Sequence, residues 1–169
     1  MNNSNTRSEV MRMLRELNLT SVKHSLEAIT KKAESESLGY ESYLRELLTA
    51  ECDARRNNRI QRYLKESRLP LEKNLESFEM KKLPQKVIQQ VRVLLEGGFL
   101  DRKENLLAFG NPGSGKTHLL CAIVQELIRT GRRGYFISCN FLVQDLLNAK
   151  KDLKMSQFIK RLEKYFEII

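Results

Sequence analysis

Eight consecutive residues, Gly110-Asn111-Pro112-Gly113-Ser114-Gly115-Lys116-Thr117, set three glycines, a lysine and a hydroxyl in a fixed order. The string fits the phosphate-cradling pattern G-x-x-x-x-G-K-[ST] at every fixed position. Its residue types suit a polyphosphate. Glycines let backbone N–H groups close on an anion where a Cβ would collide or forbid the dihedrals. Lys116 supplies an ammonium for the β- and γ-phosphates, and the Thr117 hydroxyl is a ligand for a bridging Mg²⁺. All eight residues from Gly110 to Thr117 are therefore candidates for contacting the phosphates of ATP, with Thr117 also the candidate metal ligand.

A second group of residues points to a larger anion. Arg55, Arg59 and Arg62 recur at spacings of four and three, which stacks three guanidinium groups on one helix face. Such a row can straddle the phosphate backbone of duplex DNA. The same row also fits a solvated helix face balanced by Glu51, Asp53 and Glu66. The net charge of +9 favours an anionic partner without specifying one. The excess is not confined to one segment, with 18 basic against 14 acidic residues before position 101 and 12 against 7 from there on.

Other chemistries are poorly served. Cys52, Cys121 and Cys139 form no C-x-x-C pair, and His24 and His118 make no ligand cluster with them, so the cysteines read as reduced thiols. His118 reads as a plain position on the helix that follows the loop, and His24 is given no role. An acid that holds Mg²⁺ and orients water belongs at the end of a second catalytic strand. The apolar run Phe166-Glu167-Ile168-Ile169 carries Glu167 inside the run rather than at its end, which makes it a poor substitute.

The elements that must position these residues follow from periodicity. Val10, Met13, Leu14 and Leu17 mark one helix, and Val22, Leu26 and Ile29 a second with Thr20 as its N-cap. Tyr43, Leu44, Leu47, Leu48, Ala54, Ile60, Tyr63 and Leu64 predict a long helix from about Glu41 to about Arg68, ended by Pro70. Residues 70–104 read as a connector containing a short amphipathic helix through Val87, Val91, Leu94 and Leu95. Leu106–Phe109, Tyr135–Ile137 and Phe166–Ile169 are short apolar runs of the kind that form buried parallel strands. Between them lie predicted helices from Lys116 to Arg129, from Asn140 as a cap, and from Ser156 as a cap.

The reading is thus an α/β chain: an all-α basic domain over residues 1–69, a connector over 70–104, and part of a parallel-sheet nucleotide domain over 105–169. No apolar run approaches the ~18 residues of a membrane span, and no signal-peptide core follows the polar N-terminus, so no membrane partner and a cytoplasmic location are expected.

The stretch Leu106 to Leu119, taken with Tyr43-Leu44-Arg45-Glu46-Leu47-Leu48, Glu51, Arg55-Arg56, Phe78, Leu100, Gly134-Tyr135-Phe136 and Leu142 to Leu147, resembles the IstB family. These are AAA+ helper ATPases of insertion-sequence transposases, related to the DnaC helicase loaders. The resemblance covers most of the chain from about Leu38 onward. It implies an incomplete P-loop AAA+ sheet domain, an ATP-dependent homo-oligomer on duplex DNA, and a transposase as partner, with the basic helical region on the DNA. A replicative helicase is the alternative partner, and a non-catalytic DNA-binding remnant or a P-loop small-molecule kinase are further alternatives. In the family the Mg²⁺-binding acid, sensor and arginine finger come later than the position of Ile169. The expectation is therefore a truncated member that binds ATP without efficient hydrolysis.

Overall fold

The computed structural model describes residues 3–169. The chain divides into two compact units, Met1–Arg59 and Ile60–Ile169.

In the first unit, helix α1 (Asn3–Glu16) packs on α2 (Thr20–Ser35), and α3 (Tyr40–Ser67) supplies the third helix before running on into the second unit. Apolar positions three and four apart put Val22 and Leu47 in the interior. Polar cross-links add direction. The Thr30 and Tyr43 hydroxyls are 2.9 Å apart, and Lys32 Nζ donates to Glu46 at 2.8 Å. Thr20 does not cap α2; it is the first helical residue, after Leu19. The N-terminal N–H groups of α2 are met from a distance instead. The buried Glu51 carboxylate accepts from Ser21 N at 2.8 Å and from Val22 N at 3.3 Å.

The second unit is built around α6 (Lys116–Arg129), whose bounds coincide with the predicted ones. Two sides of α6 are covered. Cys121 and Ile128 pack with Leu69, Tyr63, Leu64 and Phe136, while Ile123 and Leu127 pack with Val91 of α4 (Gln85–Leu95), Val87 and Phe99. The four-residue α5 (Gly98–Asp101) closes the second cluster. Gly134 is required by proximity, since a Cβ there would lie 2.5 Å from Val124 Cγ1. Helices α7 (Cys139–Lys151) and α8 (Met155–Tyr165) pack on each other. Their N-caps are Ser138 and Lys154, so Asn140 and Ser156, expected as caps, both lie inside the first turn.

The expected parallel sheet is not present, and the chain is mostly helical. Among the described residues the only strand-like pairing is one isolated parallel bridge, Gly134 to Ile168. It is held by Tyr135 N donating to Ile168 O at 2.8 Å and Ile168 N donating to Arg133 O at 3.2 Å. The physical reason lies in the pairing, not in the apolar character of the runs. Phe136 N donates to Ser67 O at the end of α3, at 2.7 Å, rather than to a strand. Among the described residues no backbone hydrogen bond joins Leu106–Phe109 to another segment, and Leu107 and Phe109 are largely exposed. A cavity of about 660 Å³, lined by Leu106, Leu107, Tyr135, Ile137 and Ile168 among others, lies where the expected strands would have had to meet.

Candidate functional site

The phosphate-loop candidates Gly110 to Thr117 form one contiguous turn that ends at the start of α6. Three glycines sit at positive φ: Gly110 at 154°, Gly113 at 77° and Gly115 at 85°. Gly113 and Gly115 are well inside the left-handed region, where an L side chain is strained. Space is restricted as well. A Cβ on Gly110 would come within 3.1 Å of Ser114 Oγ, and one on Gly115 within 3.1 Å of the Phe78 ring. Sequence order and backbone geometry therefore agree on why these positions are glycine.

Lys116 curls over the same turn. Its Nζ donates to Gly110 O at 2.9 Å and to Asn111 O at 2.7 Å, with Ser114 Oγ at 3.4 Å. The ammonium is thereby tied to the loop's own carbonyls. Thr117 follows on the first turn of α6, with an exposed side chain that also borders the 660 Å³ cavity. Helix α6 points its N-terminus, the positive end of its dipole, at the loop. A cradle of left-handed glycines, a cation folded across it and a hydroxyl at the helix start fit a triphosphate with its Mg²⁺.

The loop has a support that the sequence did not reveal. His118 Nε2 lies 3.0 Å from Asn74 O and 3.2 Å from Ser77 Oγ, and its ring meets Phe78 edge-on at 5.0 Å. Seven residues later, the buried Gln125 donates from Nε2 to Pro70 O at 3.2 Å and Lys73 O at 3.0 Å. One face of α6 thus holds the turn 70–78, and that turn places Phe78 against Gly115. His118 is a structural anchor rather than a plain helix position. The readable signal was Gln125, an amide on a helix face otherwise occupied by Cys121 and Ile128.

The arginine row divides by environment. Arg55 is committed internally, its Nε donating to Glu51 Oε1 at 2.7 Å and its Nη2 to Asn18 O at 3.1 Å. The Glu51 carboxyl is held below the usual glutamate range, chiefly by that Arg55 hydrogen bond and further by the Ser21 and Val22 N–H groups, against the opposing effect of burial. Arg59 is exposed and has no ion-pair partner among the described residues. Arg62 sits 3.9 Å from Glu66 and 5.5 Å from the Tyr63 ring centre. Glu167 is paired too, with Arg132 Nη1 at 2.9 Å, and Arg132 also holds Asp101 at 2.6 Å.

Cys121 is buried, which pushes its thiol pKa up, while Cys52 and Cys139 are exposed. Among the described residues no group of three or more His, Cys, Asp or Glu side chains could hold a metal ion. No described helix is long and apolar enough to cross a membrane.

Known proteins resemble this chain over most of its length. A Geobacillus stearothermophilus protein named for insertion sequence IS5376 and for ATP binding is 35% identical over 133 residues, covering 79% of this chain and 53% of that protein. A Sinorhizobium fredii protein, likewise named for an insertion sequence and ATP binding, is 34% identical over 154 residues, covering 90% and 52%. A Pseudomonas aeruginosa protein named for insertion sequence IS21 and ATP binding is 29% identical over 150 residues, covering 89% and 57%. The chain spans about half the length of these curated relatives. The family profile described as IstB-like ATP binding protein matches residues 12–169, and on that match the chain belongs to the IstB-like ATP-binding proteins of insertion sequences.

Proposed function

We propose that this chain binds ATP with Mg²⁺ through Gly110–Thr117 and serves DNA transposition as a nucleotide-dependent helper of a transposase. The observation that carries the reading is the loop itself. Glycines at positive φ, the Lys116 ammonium folded over the turn and the N-terminus of α6 lie together in one contiguous segment. In that reading the loop N–H groups and Lys116 would hold the β- and γ-phosphates, and the Thr117 hydroxyl would be a ligand for Mg²⁺. The magnesium ion supplies charge neutralisation; the protein supplies position. Relatives named for insertion sequences support transposition over helicase loading as the context.

Duplex DNA is the second proposed ligand, with Arg59 and Arg62 of α3 as contacts. The +9 charge and the exposed Arg59 support it. The test of the nucleotide site is Lys116→Ala, measured with a fluorescent ATP analogue and Mg²⁺. Affinity should fall at least about tenfold, the loss of roughly one charge-assisted contact. Unchanged affinity in a folded variant would remove this loop as the phosphate site.

A further inference from the structure

We propose that His118 is a positioning residue for the nucleotide, acting through Phe78 on the backbone of Gly115, so that an ordered turn 70–78 and an occupied loop favour each other. The inference rests on the reading of Gly110–Thr117 as the phosphate site, and it extends that site to residues outside the string.

The chain of contacts starts at one imidazole nitrogen. His118 Nε2 lies 3.0 Å from Asn74 O and 3.2 Å from Ser77 Oγ. A backbone carbonyl only accepts, so Nε2 carries a hydrogen. The single Ser77 hydroxyl hydrogen has its shortest contact at Glu72 O, 2.8 Å away, which leaves the oxygen to accept from His118. Asn74 closes the turn on itself. Its Oδ1 accepts from Ser77 N at 2.9 Å, and its Nδ2 donates to Leu71 O at 3.3 Å. One ring on the first turn of α6 therefore holds a turn that is already cross-linked internally.

Phe78 carries the connection onward. It follows Ser77 directly, and its ring meets the imidazole edge-on at 5.0 Å. The same ring backs Gly115, where a Cβ would lie 3.1 Å from Phe78 Cε2. Gly115, at φ 85°, is the residue at which the loop becomes α6, so its backbone sets the direction of the first helical N–H groups. Those groups are the ones an anion at the loop would meet. Gln125 holds the same turn at Pro70 O and Lys73 O, so the turn keeps an attachment to α6 when His118 is replaced. The coupling is reciprocal: what an ordered turn adds to nucleotide affinity, the nucleotide returns as order in the turn.

The test uses the whole chain, a fluorescent ATP analogue with Mg²⁺, and trypsin cleavage after Lys73, inside the turn. Saturating analogue should slow that cut in the wild-type chain about fivefold. His118→Ala should weaken analogue binding about fivefold, the worth of one hydrogen bond, and abolish the slowing. His118→Gln keeps an N–H donor at about the reach of Nε2 and should recover most of the affinity. Phe78→Leu removes the ring and should weaken binding as His118→Ala does, and the double variant should bind no worse than the weaker single one. Circular dichroism and urea melts show that each variant is folded. Wild-type affinity in folded His118→Ala, or a cut still slowed by nucleotide in it, would leave His118 a role in stability alone and overturn the proposal. Additive losses in the double variant would overturn it too, since Phe78 would then not be the route. A wild-type chain that binds no analogue removes the phosphate site itself, and the coupling falls with it.

Discussion

Glu51 of α3 accepts the backbone N–H of Ser21, thirty residues earlier, at 2.8 Å, and so serves as the N-terminal cap of α2. The same carboxylate fixes Arg55 through Oε1. A helix end that would otherwise leave N–H groups unpaired is completed by another helix, and the ion pair orients the group that does it.

This arrangement predicts an acid dependence. The folded Glu51 carboxyl is held below its ordinary range, first by Arg55 and then by the α2 N–H groups. Its contribution is therefore complete above the unfolded pKa and is lost as pH falls through the folded one. Thermal melts followed by circular dichroism should show the difference between the wild-type chain and Glu51→Gln shrinking as pH is lowered from 6 to about 3. A constant difference across that range would mean that the carboxylate charge is not what stabilises the contact.

The arginine row should split when tested singly. Arg59→Ala should lower duplex-DNA affinity and reduce the slope of log affinity against log salt by about one, with stability unchanged. Arg55→Ala should instead lower the melting temperature, because it strips Glu51 and the Asn18 carbonyl of their donor. Filter binding across a salt series and parallel melts separate the two. Equal salt-slope effects would show that Arg55 leaves its internal partners to meet DNA.

Gly115→Ala should be costly on backbone and steric grounds alone. The residue sits at φ 85° with the Phe78 ring 3.1 Å from the new Cβ. Left-handed strain alone is about 1–2 kcal/mol, and urea denaturation should register at least that. In a Phe78→Ala background the same substitution should cost only the strain, its steric part having gone. An equal cost in both backgrounds would place the whole of it in the backbone.

Gln125→Leu keeps much of the side-chain volume but removes the amide that serves Pro70 O and Lys73 O. Two carbonyls lose their donor, at about 1–3 kcal/mol for each that stays buried. The measurement is urea denaturation combined with limited proteolysis at the 70–78 turn, which should become the first site cut. If stability holds and the turn stays resistant, other contacts hold it in place.

How much was legible depended on how far the determining contacts lie along the chain. The bounds of α6 came from a local signal, the loop glycines followed by an apolar stripe, and Tyr40–Ser67 came from a long 3.6-residue periodicity. The strands failed because apolar character does not supply a neighbour: Leu107 is 74% exposed and Phe109 88%. Cap assignments failed for a related reason. Ser138 and Lys154 precede the residues expected at α7 and α8, and α2 is capped by a residue no local window contains. In the Gly110–Thr117 loop, residue order predicted a glycine turn, whereas its support through Asn74, Ser77 and Phe78 joins residues about forty positions apart.

The two anchors on α6, His118 and Gln125, are seven residues apart, two turns of helix and almost the same azimuth. Together they measure out the 70–78 turn like two marks on a ruler. The constraint this places on descent is one of length rather than composition. A solvent-facing residue between the anchors can change freely, but a single inserted or deleted residue rotates Gln125 by about 100° and shifts it about 1.5 Å along the axis, out of reach of Pro70 and Lys73. Variation between these two positions should therefore accumulate as substitutions while insertions and deletions are purged.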